Sequence, residues 1–187
     1  MLSYLRRVVA DVAPLRSSRE FRVLFASRTV SGLGGQATEV ALLVQARQLT
    51  GSAVAVGLLG AAELVPMAVC GLYGGWLADR VNRGRLIRWS EAGLGGCSAL
   101  LLANALLPHP AVWPLYVITA VMMALGSLQR PSMDASVPRV VARDQLTAAS
   151  ALLSLSSNTC VIAGSAVGGV IATWPGPQAV YLLDVVS

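Results

Sequence analysis

The chain has 187 residues, of which 55% are hydrophobic and 12% charged, with a formal net charge of +5 and a mean hydropathy of +0.66. Soluble domains run at about 45–50% apolar and about 25% charged, so this composition excludes a soluble globular enzyme, a disordered tail and a collagen-like fibre. Long apolar runs without alternating polarity speak against a β-barrel, which leaves an all-α, polytopic transmembrane helical bundle.

In chain order, residues 1–20 form a cytoplasmic segment. Leu2, Leu5, Val8, Val9 and Val12 are broken by Arg6, Arg7 and Asp11, which denies them the continuous core of a secretory signal. Their spacing suits an amphipathic helix on the membrane surface, ended by Pro14; a disordered tail is the alternative. The region 21–187 reads as the bundle. Its spans are expected at about 21–49, 53–78, 86–107, 111–128 and 146–173, with a sixth begun at 178–187. A span needs about twenty residues, so the count is five complete crossings and part of a sixth. The Thr50-Gly51-Ser52, Pro108-His109-Pro110 and Trp174-Pro175-Gly176-Pro177 segments are turns. A polar connection with Pro131, Asp134, Pro138 and Asp144 separates spans four and five.

All 14 basic residues are arginine, and twelve of them fall in the N-terminus, the connection after span two and the connection after span four. The alternate connections hold none. That pattern places the N-terminus in the cytoplasm and assigns the charge to the lipid surface, not to nucleic acid. Cys70, Cys97 and Cys160 lie far apart inside apolar runs and read as small buried hydrophobes. His109 stands alone in a turn. The pattern offers no metal site, catalytic triad, phosphate loop or cofactor box. Trp76, Trp89, Trp113 and Trp174 fall near expected interfaces, as anchoring aromatics do.

Three groups of residues could carry chemistry. The first runs from Gly74 to Arg85 at the exit of span two. Gly71 and Gly75 form a small-xxx-small pair that permits close helix contact. Asp79 can pair with the following arginines, or the arginines can be topological with one neutralising acid. The second is Gly164-Ser165-Ala166-Val167-Gly168-Gly169 in span five, where Gly164 and Gly168 share a helix face. The third is acid within the spans. A charged side chain at mid-bilayer costs roughly 2.5–3.5 kcal/mol on insertion scales, so Glu39 and Glu63, at similar depth on neighbouring spans, are candidates for reversible protonation. A solvated, cavity-facing role or a structural hydrogen bond is the bland reading of each. Glu91 is expected to pair with Arg88.

The segment Gly75…Asp79-Arg80…Arg83 resembles the loop 2–3 signature of the major facilitator superfamily, with Gly84 in place of the second basic residue and Arg85 one place later. Phe21-Arg22, Arg28-Thr29-Val30-Ser31, Gly34 and Thr38 resemble the first helix of the branch containing macrolide and enterobactin exporters. Leu49-Thr50-Gly51-Ser52, Ala55-Val56-Gly57-Leu58, Pro131, Ala135, Pro138, Gln145-Leu146, Ala148-Ala149, Leu182-Leu183-Asp184 and Ser187 follow the same order. The resemblance implies the N-terminal half of an exporter working by alternating access, with substrate near the midplane between two six-helix halves. It implies that Asp79 and Arg83 form a gating pair against a second half. It likens 164–169 to the antiporter signature, with Ser165 where that motif has proline, and sets this face against the second half too. Gln36, Glu39 and the 127–129 region with Gln129 become candidate cavity lining. Gly95 and Met122 stand where many proton-coupled relatives carry arginine. The implied partners are the lipid bilayer, an amphipathic small molecule, protons and a C-terminal half, in a bacterial inner membrane. A membrane scaffold that does not transport is the alternative, and an integral-membrane enzyme is unsupported.

Overall fold

A computed structural model of the chain describes residues 12–80, 83–174 and 176–186, with side chains outside 74–83. The elements are α1 (Ala13–Ser17), α2 (Arg19–Thr50), α3 (Ala53–Arg80), α4 (Arg83–Ala105), α5 (Trp113–Asp134), α6 (Val137–Val140), a 3-10 turn (Arg143–Gln145), α7 (Leu146–Thr159), a π-helical turn (Cys160–Gly164), α8 (Ser165–Thr173) and α9 (Pro177–Val186). Among the described residues there is no strand.

Local chemistry sets the ends of these helices. Ser18 caps α2, its hydroxyl accepting from the Phe21 amide at 3.1 Å. Gly51 ends α2 in the left-handed region at φ 66°, a conformation that favours glycine. Pro14 does not end a helix as its sequence context suggests. It sits in the first turn of α1, where the missing N–H is one of the helix's unpaired donors anyway. The amphipathic face expected over 1–12 lies outside the described residues except for Val12. Helix α5 also departs from expectation. It runs through Gln129, Arg130 and Pro131 to Asp134 and does not stop at 128. Pro131 lacks only its own N–H, so the turn around it survives inside a packed bundle. Arg130, expected in a cytoplasmic connection, is therefore a helical residue.

The helix pairs have a regular plan. Helix α2 lies against α8 and the π turn, and α5 lies against α3. Helix α9 packs on α2, and α4 packs on α5, while α9 and α4 meet each other. Exchanging the first three long helices for the last three maps each pair onto another. That is the internal-repeat arrangement of transporter folds.

Two apolar cores bracket a polar middle. One contains Ala41, Leu42 and Ala46 of α2, Leu59, Leu101, Leu115, Ala172 and Tyr181. The other joins Phe21, Val137, Val141, Ala149 and Leu152. The first is tied by polar clasps. Tyr181 donates to Gln45 Oε1 at 2.7 Å in full burial, Tyr116 donates to the Ala55 carbonyl at 2.9 Å, and Asn104 bonds both the amide and the carbonyl of Ala111 at 3.1 Å. Two stretches, 53–73 and 143–173, are long and apolar enough by length and composition to cross a membrane. The charges and amides of α2 and α4 keep those helices outside that test, and several of the same residues line internal cavities.

Candidate functional site

The polar middle begins on α2. One turn of that helix carries Gln36 and Glu39, and the Gln36 amide donates to Glu39 Oε2 at 2.9 Å. Glu63 faces the same space from α3. Both carboxylates line one cavity of about 670 Å³, with Leu42, Leu94, Thr119, Met122 and Arg130 among its walls. Glu63 is half-buried, whereas Glu39 is exposed at the cavity rim. Thr38 and Thr119 also line this space; both are buried, and neither hydroxyl has a hydrogen-bond partner among the described residues. An unpaired buried hydroxyl carries a desolvation cost.

A second space of about 660 Å³ adjoins it, sharing Gly35, Leu94 and Met122, and is lined by Glu91 and Asp184. Here the structure corrects one expectation. Glu91 does not pair with Arg88. It accepts from Gln129 Nε2, and Arg88 Nε donates to the Gly84 carbonyl at 3.2 Å. Gln129 is a buried clasp between α4 and α5. Its partner lies 38 positions away, so no local pattern exposes the pairing. Asp184 accepts from Ser98 and fastens α9 to α4 in the same manner.

The glycine motif of the fifth span is placed by close contact. A Cβ on Gly164 would lie 2.8 Å from Gln36 Cβ and 2.9 Å from the Leu33 carbonyl oxygen, and one on Gly168 would lie 2.5 Å from Ala37 Cα. These residues press α8 onto α2, directly beneath Gln36 and Glu39 in sequence. The expectation that this face awaits a second half is thus corrected: Gly164 and Gly168 are already covered by α2, because only a residue without a side chain lets the two backbones touch. Ser165 is half-buried. Gly169 has an ordinary 3.8 Å contact with Val40.

Gly71, the first residue of the small-xxx-small pair, lies on the outer face of α3 among the described residues. It is exposed, and a Cβ there meets nothing within 4 Å. The side chains of Gly75, Asp79, Arg80 and Arg83 lie outside the described residues, so the gating motif is defined only by its helical backbone at 75–80 and the start of α4. Arg85 is exposed on α4. Cys97 and Cys160 are buried and Cys70 half-buried, all as free thiols. Cys160 contributes a contact to the seam, its Sγ donating to the Thr29 carbonyl at 3.4 Å.

Residues 9–187 match the family model described as transmembrane secretion effector. The chain is 30% identical over 166 residues to the enterobactin exporter EntS of Citrobacter koseri and of Shigella boydii serotype 18. It is 29% identical to that of Escherichia coli O1:K1 / APEC. Each match covers 89% of this chain and 40% of the relative, so the chain spans well under half the length of the curated relatives it matches. The family match extends over all five long helical segments and α9. The chain belongs to the transmembrane secretion effector family of the major facilitator superfamily, a family of polytopic helical membrane transporters.

Proposed function

We propose that this chain is the N-terminal half of an exporter that expels an amphipathic small molecule by alternating access, driven by proton exchange. The observation that carries the reading is the shared cavity of Glu39 and Glu63, walled by α2, α3 and α5 and softened by Met122 and Met123. Two like charges in one cavity repel, and a single shared proton relieves that repulsion. Loading and releasing that proton gives a cycle its driving step. The methionines offer adaptable apolar contact for a bulky solute. Asp79, Arg80 and Arg83, with Gly75 and Arg85 nearby, serve as the gate toward a C-terminal half. The arginine-rich connections place the N-terminus in the cytoplasm of a bacterial inner membrane. The exporter relatives support the direction of transport.

The test uses an efflux-deficient bacterial host that expresses the chain with the C-terminal half of an enterobactin exporter. Raised tolerance to a panel of amphipathic compounds, lost in Glu63→Gln and reduced in Asp79→Asn at equal membrane abundance, is the expected result. Equal tolerance with and without the chain rejects transport and leaves a membrane scaffold. Transport that persists unchanged in Glu63→Gln across external pH rejects the proton role alone.

A further inference from the structure

A separate cavity of about 650 Å³ lies between α2, α5, α7 and the π turn. Its lining includes Arg28, Gln36, Arg130, Ser156 and Ser157. Among the described residues its charged lining is the two arginines, and no carboxylate is in that lining. Arg28 is ten positions into α2 and only 26% exposed, and Arg28 Nη1 reaches Asp134 at 3.2 Å. Asp134 is 69% exposed and does not line this cavity. Arg130 is exposed, and its side chain has no ion pair or hydrogen bond among the described residues. Ser157 is exposed toward the same space, and Ser156 is held by Thr29 at 2.6 Å.

Each guanidinium presents five N–H donors in a planar fork matched to oxyanions. Arg28 keeps donors beyond the one that meets Asp134, and Arg130 reaches this cavity too, so both forks can take up an incoming oxyanion there. Leu153 and Val161 add an apolar wall. We propose that Arg28 and Arg130 form an oxyanion subsite that takes the carboxylate, phenolate or phosphate head of a small organic anion. The subsite is distinct from the carboxylate cavity, although Gln36 and Arg130 line both. It does not depend on the proton reading, since neither Glu39 nor Glu63 lines it.

The test titrates the full 187-residue chain, in nanodiscs of phosphatidylcholine, with 2-naphthoate followed by its fluorescence. Saturable binding is expected, weakened about tenfold or more in Arg28→Gln and in Arg130→Gln, as loss of a charge-assisted bond requires. Arg130→Lys keeps part of the affinity, because a point charge replaces the fork. Arg143→Gln, an exposed arginine outside the cavity, leaves it unchanged and controls for bulk charge. A second arm replaces part of the lipid with phosphatidylglycerol. Thermal stabilisation by that lipid, lost in Arg130→Gln and with naphthoate silent, identifies a headgroup phosphate as the oxyanion and keeps the subsite. If Arg28→Gln fails to fold, Ser157→Val narrows the cavity while keeping both Arg28 and Asp134, and is expected to weaken naphthoate. Absence of both responses in the unmodified chain, or their persistence in both arginine variants, overturns the proposal.

Discussion

Glycines on α3 and α8 share a residue type and a helical setting, yet they do opposite things. On α8 and the preceding turn, Gly168 and Gly164 let the backbone of α2 approach until a single added carbon would overlap it. On α3, a Cβ on Gly57, Gly60 or Gly71 meets nothing within 4 Å among the described residues. The α3 seam is made by other residues: Leu59 is buried at 1% exposure, and the Ala55 carbonyl receives Tyr116. The two seams occupy matching places in the repeat plan, but one is closed by absence of side chains and the other by their presence. Small residues thus carry the contact on one seam and leave it to larger side chains on the other.

Substitutions separate the two cases, from the largest effect downward. Gly168→Val forces α8 off α2 and is expected to cost about 3 kcal/mol, as overpacking of a rigid neighbour does. Reversible unfolding in mixed micelles by dodecyl sulfate reads it, and a shift no larger than that of Gly169→Ala would mean the seam can open without penalty. Tyr181→Phe removes the buried clasp of α9 on α2 and leaves Gln45 Oε1 unpaired, for about 2 kcal/mol. Gly71→Ala runs in the opposite direction. It fills open space, relieves a flexible residue in mid-helix, and is expected to stabilise by about 0.7 kcal/mol. Destabilisation at that site would reveal a close partner for α3. Asp134→Asn breaks an exposed ion pair and should change stability by less than about 0.5 kcal/mol.

These sites also mark where sequence reasoning works. The turn at 50–52 is legible because Gly51 needs a left-handed backbone and sits between two apolar runs. The all-helical class is legible because few other arrangements hide so much apolar surface. Glu39 and Glu63 were traceable as a pair by counting depth along two helices, and they line one cavity. The limits have a common cause. Pro14 and Pro131 look like helix ends, yet one is tolerated in a first turn and the other inside a packed helix. Glu91 has arginine near it in sequence and glutamine near it in space. Arg130 looked like a loop residue because a proline follows it, and that hid the cavity it lines with Arg28. Asn104 is a short amide four residues before the Pro-His-Pro turn, and its partner Ala111 lies on the far side of that turn. In each miss the deciding partner sits on another helix or across a turn, which neither periodicity nor charge counting reaches.

The five-residue π turn Cys160–Gly164 acts as a phase shift written into the helix. A π turn holds an extra residue without advancing the ordinary helical count. Upstream of it, Ser156 and Ser157 face the arginine-lined space; downstream, Gly164 and Gly168 face the α2 backbone. Winding the same residues as a regular α-helix would turn everything beyond Gly164 by about 100° and carry Gly164 and Gly168 off the α2 backbone. The irregular turn thus lets one continuous helix serve a cavity with one half and a closed seam with the other.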